Sequence, residues 1–221
     1  MEICIRKEDD NMDKTNRSKA IEKFIKHNHK FHLRNLPNEQ KGNMRYGVFN
    51  NNYLTDGCCV VKTSEDLSEY LQSENNNECV LNTLNTALNE RKRNDNIGNT
   101  YMIDINKLIN DAKSNGFKDT FKQQQEENSN FRKSHVVHLN GSCFYFRLLH
   151  KAFQCINDGE ISMITEVKRP YGTEGKYSKS LYLQTGIGEC FLLNFYRPDN
   201  MEISLEDDFN HVYNLLDYVI K

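Results

Sequence analysis

One succession of signals, strand, helix and then three strands, occurs near residues 2–62 and again near 134–198. A repeated unit narrows the fold sharply, because each helix must bury one face against the strands of its own copy. In both copies the face opposite the apolar one is polar and basic. The expected shape is a paired β-sheet shell with two helices side by side, presenting cations to something anionic.

In the first copy, residues 2–6 alternate as a short strand. The helix follows, with Thr15 or Asn16 as N-cap and Ala20, Ile21, Phe24 and Ile25 at helical spacing. Lys19, Lys23, Lys26 and Lys30 fall on the opposite side of the wheel. Strands are expected over 30–34, 43–50 and 53–63, the last bent or bulged at Asp56-Gly57. In the second copy, 134–139 reads as a strand and Asn140-Gly141-Ser142 as the turn into a helix near 143–157. Leu148, Leu149, Ala152, Phe153, Cys155 and Ile156 form its apolar side, with Arg147, His150, Lys151 and Gln154 opposite. Strands over 160–167, 180–185 and 189–195 complete the unit.

Residues 64–133 break the pattern and read as a mostly helical insertion. Helices are expected from Ser64 and from Cys79 to Arg93, then a strand from Tyr101 leading into a helix on Ile105, Leu108, Ile109 and Ala112. Asn115-Gly116 stops that helix. The polar run Lys122–Asn130 reads as a linker. At the end, Ser204 with Asp207 resembles a capping box, and Leu205, Phe209, Val212, Leu216 and Val219 make the stripe of a C-terminal helix. The expected divisions are 1–63, 64–133, 134–199 and 200–221.

A formal net charge of −2 means that any contact with an anionic partner must come from cations gathered on one surface. Seven cysteines are odd in number and widely spaced, so they read as reduced core thiols. No apolar run suits a signal peptide or approaches the ~18 residues of a membrane span, which points to a soluble cytoplasmic chain without membrane contact. The abundance of Asn and Lys fits an AT-rich bacterial or phage genome.

Catalytic and metal chemistry find little support. His27 and His29 diverge near a helix end while His32 belongs to the next strand, and His135 and His138 face opposite sides of one strand. Cys143 or Cys155 near His150 is the local thiol–imidazole candidate, but Cys155 lies on the apolar face. No phosphate-loop glycine pattern precedes a helix. The expectation is a protein without catalytic residues, metal or cofactor.

Several stretches carry a family resemblance. They are Phe144–Phe153, Gly159-Glu160-Ile161, Ser180-Leu181-Tyr182-Leu183 and Gly188-Glu189-Cys190-Phe191, together with Tyr53-Leu54-Thr55-Asp56-Gly57 before Cys58–Val61. In the order of their elements they resemble a repeat of the bacterial DNA sliding-clamp family, that of the polymerase III beta subunit. The resemblance implies an α+β, DNA-clamp-like fold of two βαβββ halves, here with a mostly helical insertion and a C-terminal helix. It implies that Lys19, Lys23, Lys26, Arg147 and Lys151 face duplex DNA. Such contacts are nonspecific, and five cations would give a salt slope of about −4. The family's chains hold three such domains where this one has material for one, so a ring would need a homo-oligomer. The alternative is a clamp-fold interaction module without DNA binding, whose insertion and terminal helix engage a replication or host protein.

Overall fold

A computed structural model of the chain describes residues 16–24, 48–49, 52–55, 59–67, 97–157, 162–170, 177–193 and 209–221. These residues form four α-helices and two β-sheets, a mixed α+β arrangement. In chain order they are α1 (16–24), β1 (Val48–Phe49), β2 (Tyr53–Thr55), β3 (Cys59–Thr63), β4 (Ile97–Ile103), α2 (Ile105–Ser114) and α3 (Phe121–Ser129). Then come β5 (His135–Leu139), β6 (Ser142–Tyr145), α4 (Phe146–Ile156), β7 (Ser162–Pro170), β8 (Tyr177–Gln184), β9 (Gly188–Leu193) and β10 (His211–Asn214). Short 3-10 turns occupy Phe131–Lys133 and Leu215–Tyr218.

The chain divides into two compact units. The first comprises Met1–Asn89, Lys151–Glu160 and Gln184–Cys190, the second Glu90–His150, Ile161–Leu183 and Phe191–Lys221.

In the first unit, Arg17, Ile21 and Phe24 recur at i, i+4 and i+7 on α1, and all three are buried. The strands β1, β2 and β3 run antiparallel, with Leu54 opposite Val61 and Thr55 opposite Val60. The single strand expected over 53–63 is instead two strands paired antiparallel with each other, and the bend or bulge expected at Asp56-Gly57 lies outside the described residues. Cys59, Val60 and Val61 are all buried, as in a strand covered on both faces. Ala152, Phe153, Cys155 and Ile156 of α4 join this core. The Ile156 carbonyl at the helix end accepts the Thr185 hydroxyl, which satisfies one of the acceptors a helix terminus leaves open.

In the second unit, β4 pairs antiparallel with β7, Met102 facing Met163 and Tyr101 facing Ile164. The Asp104 carboxylate caps α2 by accepting the Lys107 N–H at 2.9 Å, and Ile105, Leu108, Ile109 and Ala112 are its buried positions, as the spacing predicts. α2 stops at Asn115, followed by Gly116 at φ +90. The expected linker at Lys122–Asn130 is instead α3, capped by Thr120, with Glu127 as its buried residue. Nothing apolar marks α3 in the sequence, since what it buries is a carboxylate.

Asn140 and Gly141, at φ 47 and 83, make a two-residue hairpin joining β5 to β6, with Leu139 opposite Ser142. The second-copy helix accordingly starts at Phe146, and Cys143–Tyr145 is strand. The expected C-terminal helix is replaced over 209–221 by β10 and a 3-10 turn. β10 runs parallel to β5, pairing His211 with His135 and Val212 with Val136. Tyr213, Leu215 and Tyr218 are buried, whereas Leu216 of the apolar stripe is exposed. A β-branched, aromatic His-Val-Tyr run found an open strand to pair with, and that tertiary partner overrode the helical spacing. Residues 64–67, where a helix is expected to begin, are bends and irregular chain; its remainder, the helix expected from Cys79 to Arg93, the strands expected at 2–6 and 30–34, and residues 194–208 lie outside the described residues.

Candidate functional site

Within the first unit, α1 and the end of α4 line a cleft of about 420 Å³. Asn16, Arg17, Lys19 and Lys23 come from α1; Gln154 lies in the last turn of α4 and Asn157 just beyond it. Lys19 and Lys23 stand one turn apart and are both exposed.

The rotation of α1 is fixed from its other edge. Arg17 is 7% exposed, and its Nε lies 3.7 Å from Glu65 Oε1. Ser18 Oγ donates to Glu65 Oε2 at 3.2 Å, and the Glu65 N–H donates to Thr63 Oγ1 at 3.2 Å. Two neighbouring side chains of the helix are thus tied to the end of β3, and Lys19 and Lys23 are left facing out. Glu65 offsets the charge of Arg17, so the cation of the cleft resides on the two lysines.

Lys151 is half-buried, with its Nζ 4.1 Å from the centre of the Phe24 ring. Such a cation–π contact is worth roughly 0.5–2 kcal/mol and holds the ammonium close to α1. Lys26 lies outside the described residues.

Arg147 belongs to the second unit and is engaged there. Its Nη1 is 3.8 Å from Glu127 Oε2, its Nη2 donates to Asn128 Oδ1 at 3.0 Å, and its guanidinium lies 5.1 Å from the Tyr145 ring centre. Burial pushes the Glu127 carboxyl from 4.5 up to about 7, against the pull of Arg147 and of the His135 N–H that it accepts.

Around this pair lies an aromatic and imidazole cluster. His135 stacks on His211 at 4.1 Å and bonds Tyr213 Oη through Nδ1 at 3.0 Å. Burial, reinforced by His211, lowers His135 from 6.5 to about 4. His150 is only 4% exposed, under the Phe117 edge and with Nδ1 3.9 Å from Asp119 Oδ2. The helical wheel placed Arg147 and His150 on a solvent face. Packing from α3 and the residues before it covers them.

The thiol reading loses its chemistry here. Burial pushes Cys155 up to about 12 and Cys143 up to about 11, so neither supplies a thiolate at neutral pH. Cys59, Cys143, Cys155 and Cys190 are buried free thiols, in line with the core assignment. Among the described residues, no three His, Cys, Asp or Glu side chains gather as a metal-binding set. His27, His29 and His32 lie outside them. No described helix is long and apolar enough to cross a membrane.

Sequence reasoning missed Arg17, Asn16 and Asn157 as members of the cleft. Arg17 was legible as the i−4 member of the Ile21 stripe. Asn157 carried no signal beyond its place after a helix end. No protein-family model, curated protein or solved structure matches this chain.

Proposed function

We propose that the chain is a non-enzymatic, sliding-clamp-like accessory protein that holds duplex DNA by its phosphates through the lysine face of α1. The supporting observation is the exposed Lys19–Lys23 pair on the rim of a polar cleft whose described lining contains no carboxylate. Point charges one turn apart suit a regular line of phosphates and read no sequence, so binding is nonspecific and salt-sensitive. The strand–helix–three-strand run from β6 through α4 to β9 is the portion of the order that fits a clamp half.

Lys19→Glu with Lys23→Glu tests this. Both side chains are exposed, so folding, followed by circular dichroism, should be retained while duplex retention at about 50 mM salt is lost. Undiminished retention would remove the proposed surface.

One observation favours the interaction-module reading alongside it. Met102 and Met163 are cross-strand partners at 42% and 38% exposure, and the Ile220 N–H bonds the Met102 carbonyl at 2.9 Å with its own side chain 39% exposed. Insertion and C-terminal segment thus share an apolar surface of the kind a replication or host protein, or a second copy, would cover. Met102→Glu with Ile220→Glu should then change the mass measured by light scattering or abolish partner capture. An unaltered mass and capture would dismiss that reading.

A further inference from the structure

The geometry points to α3 as a strap, a polar helix docked on the body of the second unit through the Glu127 carboxyl, which lifts as that carboxyl ionises and bares the Arg147 guanidinium. α3 and Arg147 belong to the second unit and the lysines of α1 to the first, so the strap does not depend on what those lysines bind.

Of the nine residues of α3, Glu127 is the buried one, at 4% exposure; Phe121, Gln123 and Gln124 are half-buried and the other five are exposed. A helix this short is marginal by itself in water, so α3 holds its shape by being docked. Its flanks are anchored independently. Ahead of it, the buried Phe117 ring packs edge-on against Phe146 and His150. Beyond it, the Arg132 carbonyl accepts the Asn210 N–H at 3.1 Å and the Phe131 ring meets that of Phe209. Between these anchors the caps Thr120 and Asn130 have extended backbone, and element ends of this kind are where a pinned helix swings.

The contact beneath α3 is polar and poorly matched. Glu127 Oε2 lies 3.8 Å from Arg147 Nη1, too far for a hydrogen bond, and Glu127 Oε1 and Arg147 Nε are buried without a hydrogen-bond partner. The well-formed link is Asn128 Oδ1, which accepts from Arg147 Nη2 at 3.0 Å. A buried ion pair offsets its loss of water only with close geometry and filled hydrogen bonds, so this pocket houses the ionised carboxylate badly. Burial dominates, lifting the carboxyl from 4.5 to about 7; Arg147 of α4 and the His135 backbone N–H of β5 pull it down, and Asp119, 3.9 Å from His150 Nδ1, pushes it up.

Once α3 lifts, the carboxyl meets water and returns towards 4.5. Docking is therefore strongest below pH 4.5 and weakens as pH rises through about 7. The opening equilibrium should climb about tenfold from pH 6 to pH 8, steeply at first and then levelling. Arg147, stacked 5.1 Å from the Tyr145 ring centre, then loses both the carboxyl and the Asn128 amide and becomes an exposed cation.

Hydrogen exchange of the full chain at pH 6 and pH 8, read by mass spectrometry and corrected for the intrinsic rate, tests the strap. The α3 amides should open at least about tenfold more often than those of Val136–Leu139 in β5 at either pH, and about tenfold more often at pH 8 than at pH 6. Glu127→Gln should abolish that rise with pH. Asn128→Ala, at an exposed position, should speed α3 exchange and keep the rise. Phenylglyoxal labelling of Arg147 at pH 8 should be at least about tenfold slower in Glu127→Gln than in the native chain. α3 amides as protected as those of β5, a rise that survives Glu127→Gln, α3 exchange indifferent to Asn128→Ala, or equal labelling of Arg147 in the two chains would each overturn the strap.

Discussion

Replacing Glu127 with Gln should reveal a pH dependence that the native chain conceals. The Glu127 side chain is 4% exposed, and burial lifts its carboxyl from 4.5 to about 7 despite Arg147. A tenfold change in proton affinity corresponds to about 1.4 kcal/mol, so ionising Glu127 costs the folded chain about 3 kcal/mol relative to the unfolded one. The folded state holds this proton more tightly, and stability therefore falls as pH rises from 4.5 towards 7. His135 acts in the opposite sense. Its pKa drops from 6.5 to about 4, so the unfolded chain takes the proton first and stability falls by about 3 kcal/mol as pH drops through that window. Facing the imidazole are His211 and Tyr213 on β10 and the Phe117 ring, while the Glu127 carboxyl accepts from the His135 backbone N–H. The two slopes oppose each other between pH 4.5 and 6.5, and native stability should be nearly flat there. In the Glu127→Gln variant the His135 slope remains alone. Arg147 keeps Asn128 and Tyr145, and because its pull on Glu127 is already contained in the net shift, the gain at pH 8 is about 3 kcal/mol. Urea melts followed by circular dichroism across pH 4–8 give both curves. A steep native acid limb within that window, or a variant less stable than native at pH 8, would refute the opposed shifts of Glu127 and His135.

Other substitutions probe the framework. A Cβ on Gly188 would meet the Lys62 carbonyl and Ile156 Cγ2, both at 2.6 Å, so Gly188→Ala should destabilise by about 1–3 kcal/mol in the same melts. Gly141 sits at φ +83 in the β5–β6 turn, and Gly141→Ala should cost about 1–2 kcal/mol although open space surrounds it. Cys143 and Cys155 should resist a maleimide at pH 7.5 until denaturant is added; rapid native labelling of either, mapped by mass spectrometry, would contradict their burial.

Apolar periodicity made much of the frame legible, and polar burial hid the rest. Ile105, Leu108, Ile109 and Ala112 announced α2 together with its stop, and the strands β7, β8 and β9 follow the expected runs closely. α3 left no trace because its buried residue is Glu127, and with α3 went the Glu127 and Asn128 contacts of Arg147. Asn140-Gly141 carried a hairpin signature that the neighbouring helix pattern masked. The C-terminal stripe satisfied a helix by spacing, while the strand that claimed it, β5, lies more than seventy residues earlier, at pairing His135 with His211. At the candidate site, the outward face of Lys19 and Lys23 was readable from the wheel. The amides of Asn16 and Asn157 were not, because only the approach of α4 gives them a common cleft.

The salt dependence of duplex binding bears most directly on the lysine face. Lys19 and Lys23 are the exposed lysines of α1 proposed to displace counterions, whereas Arg147 pairs with Glu127 and Lys151 lies over the Phe24 ring. Plotted as log affinity against log salt, the native chain should give a slope of about −2, and Lys19→Ala with Lys23→Ala should shrink it towards zero. A native slope near zero, or one that the double substitution leaves intact, would mean that these lysines do not meet phosphate.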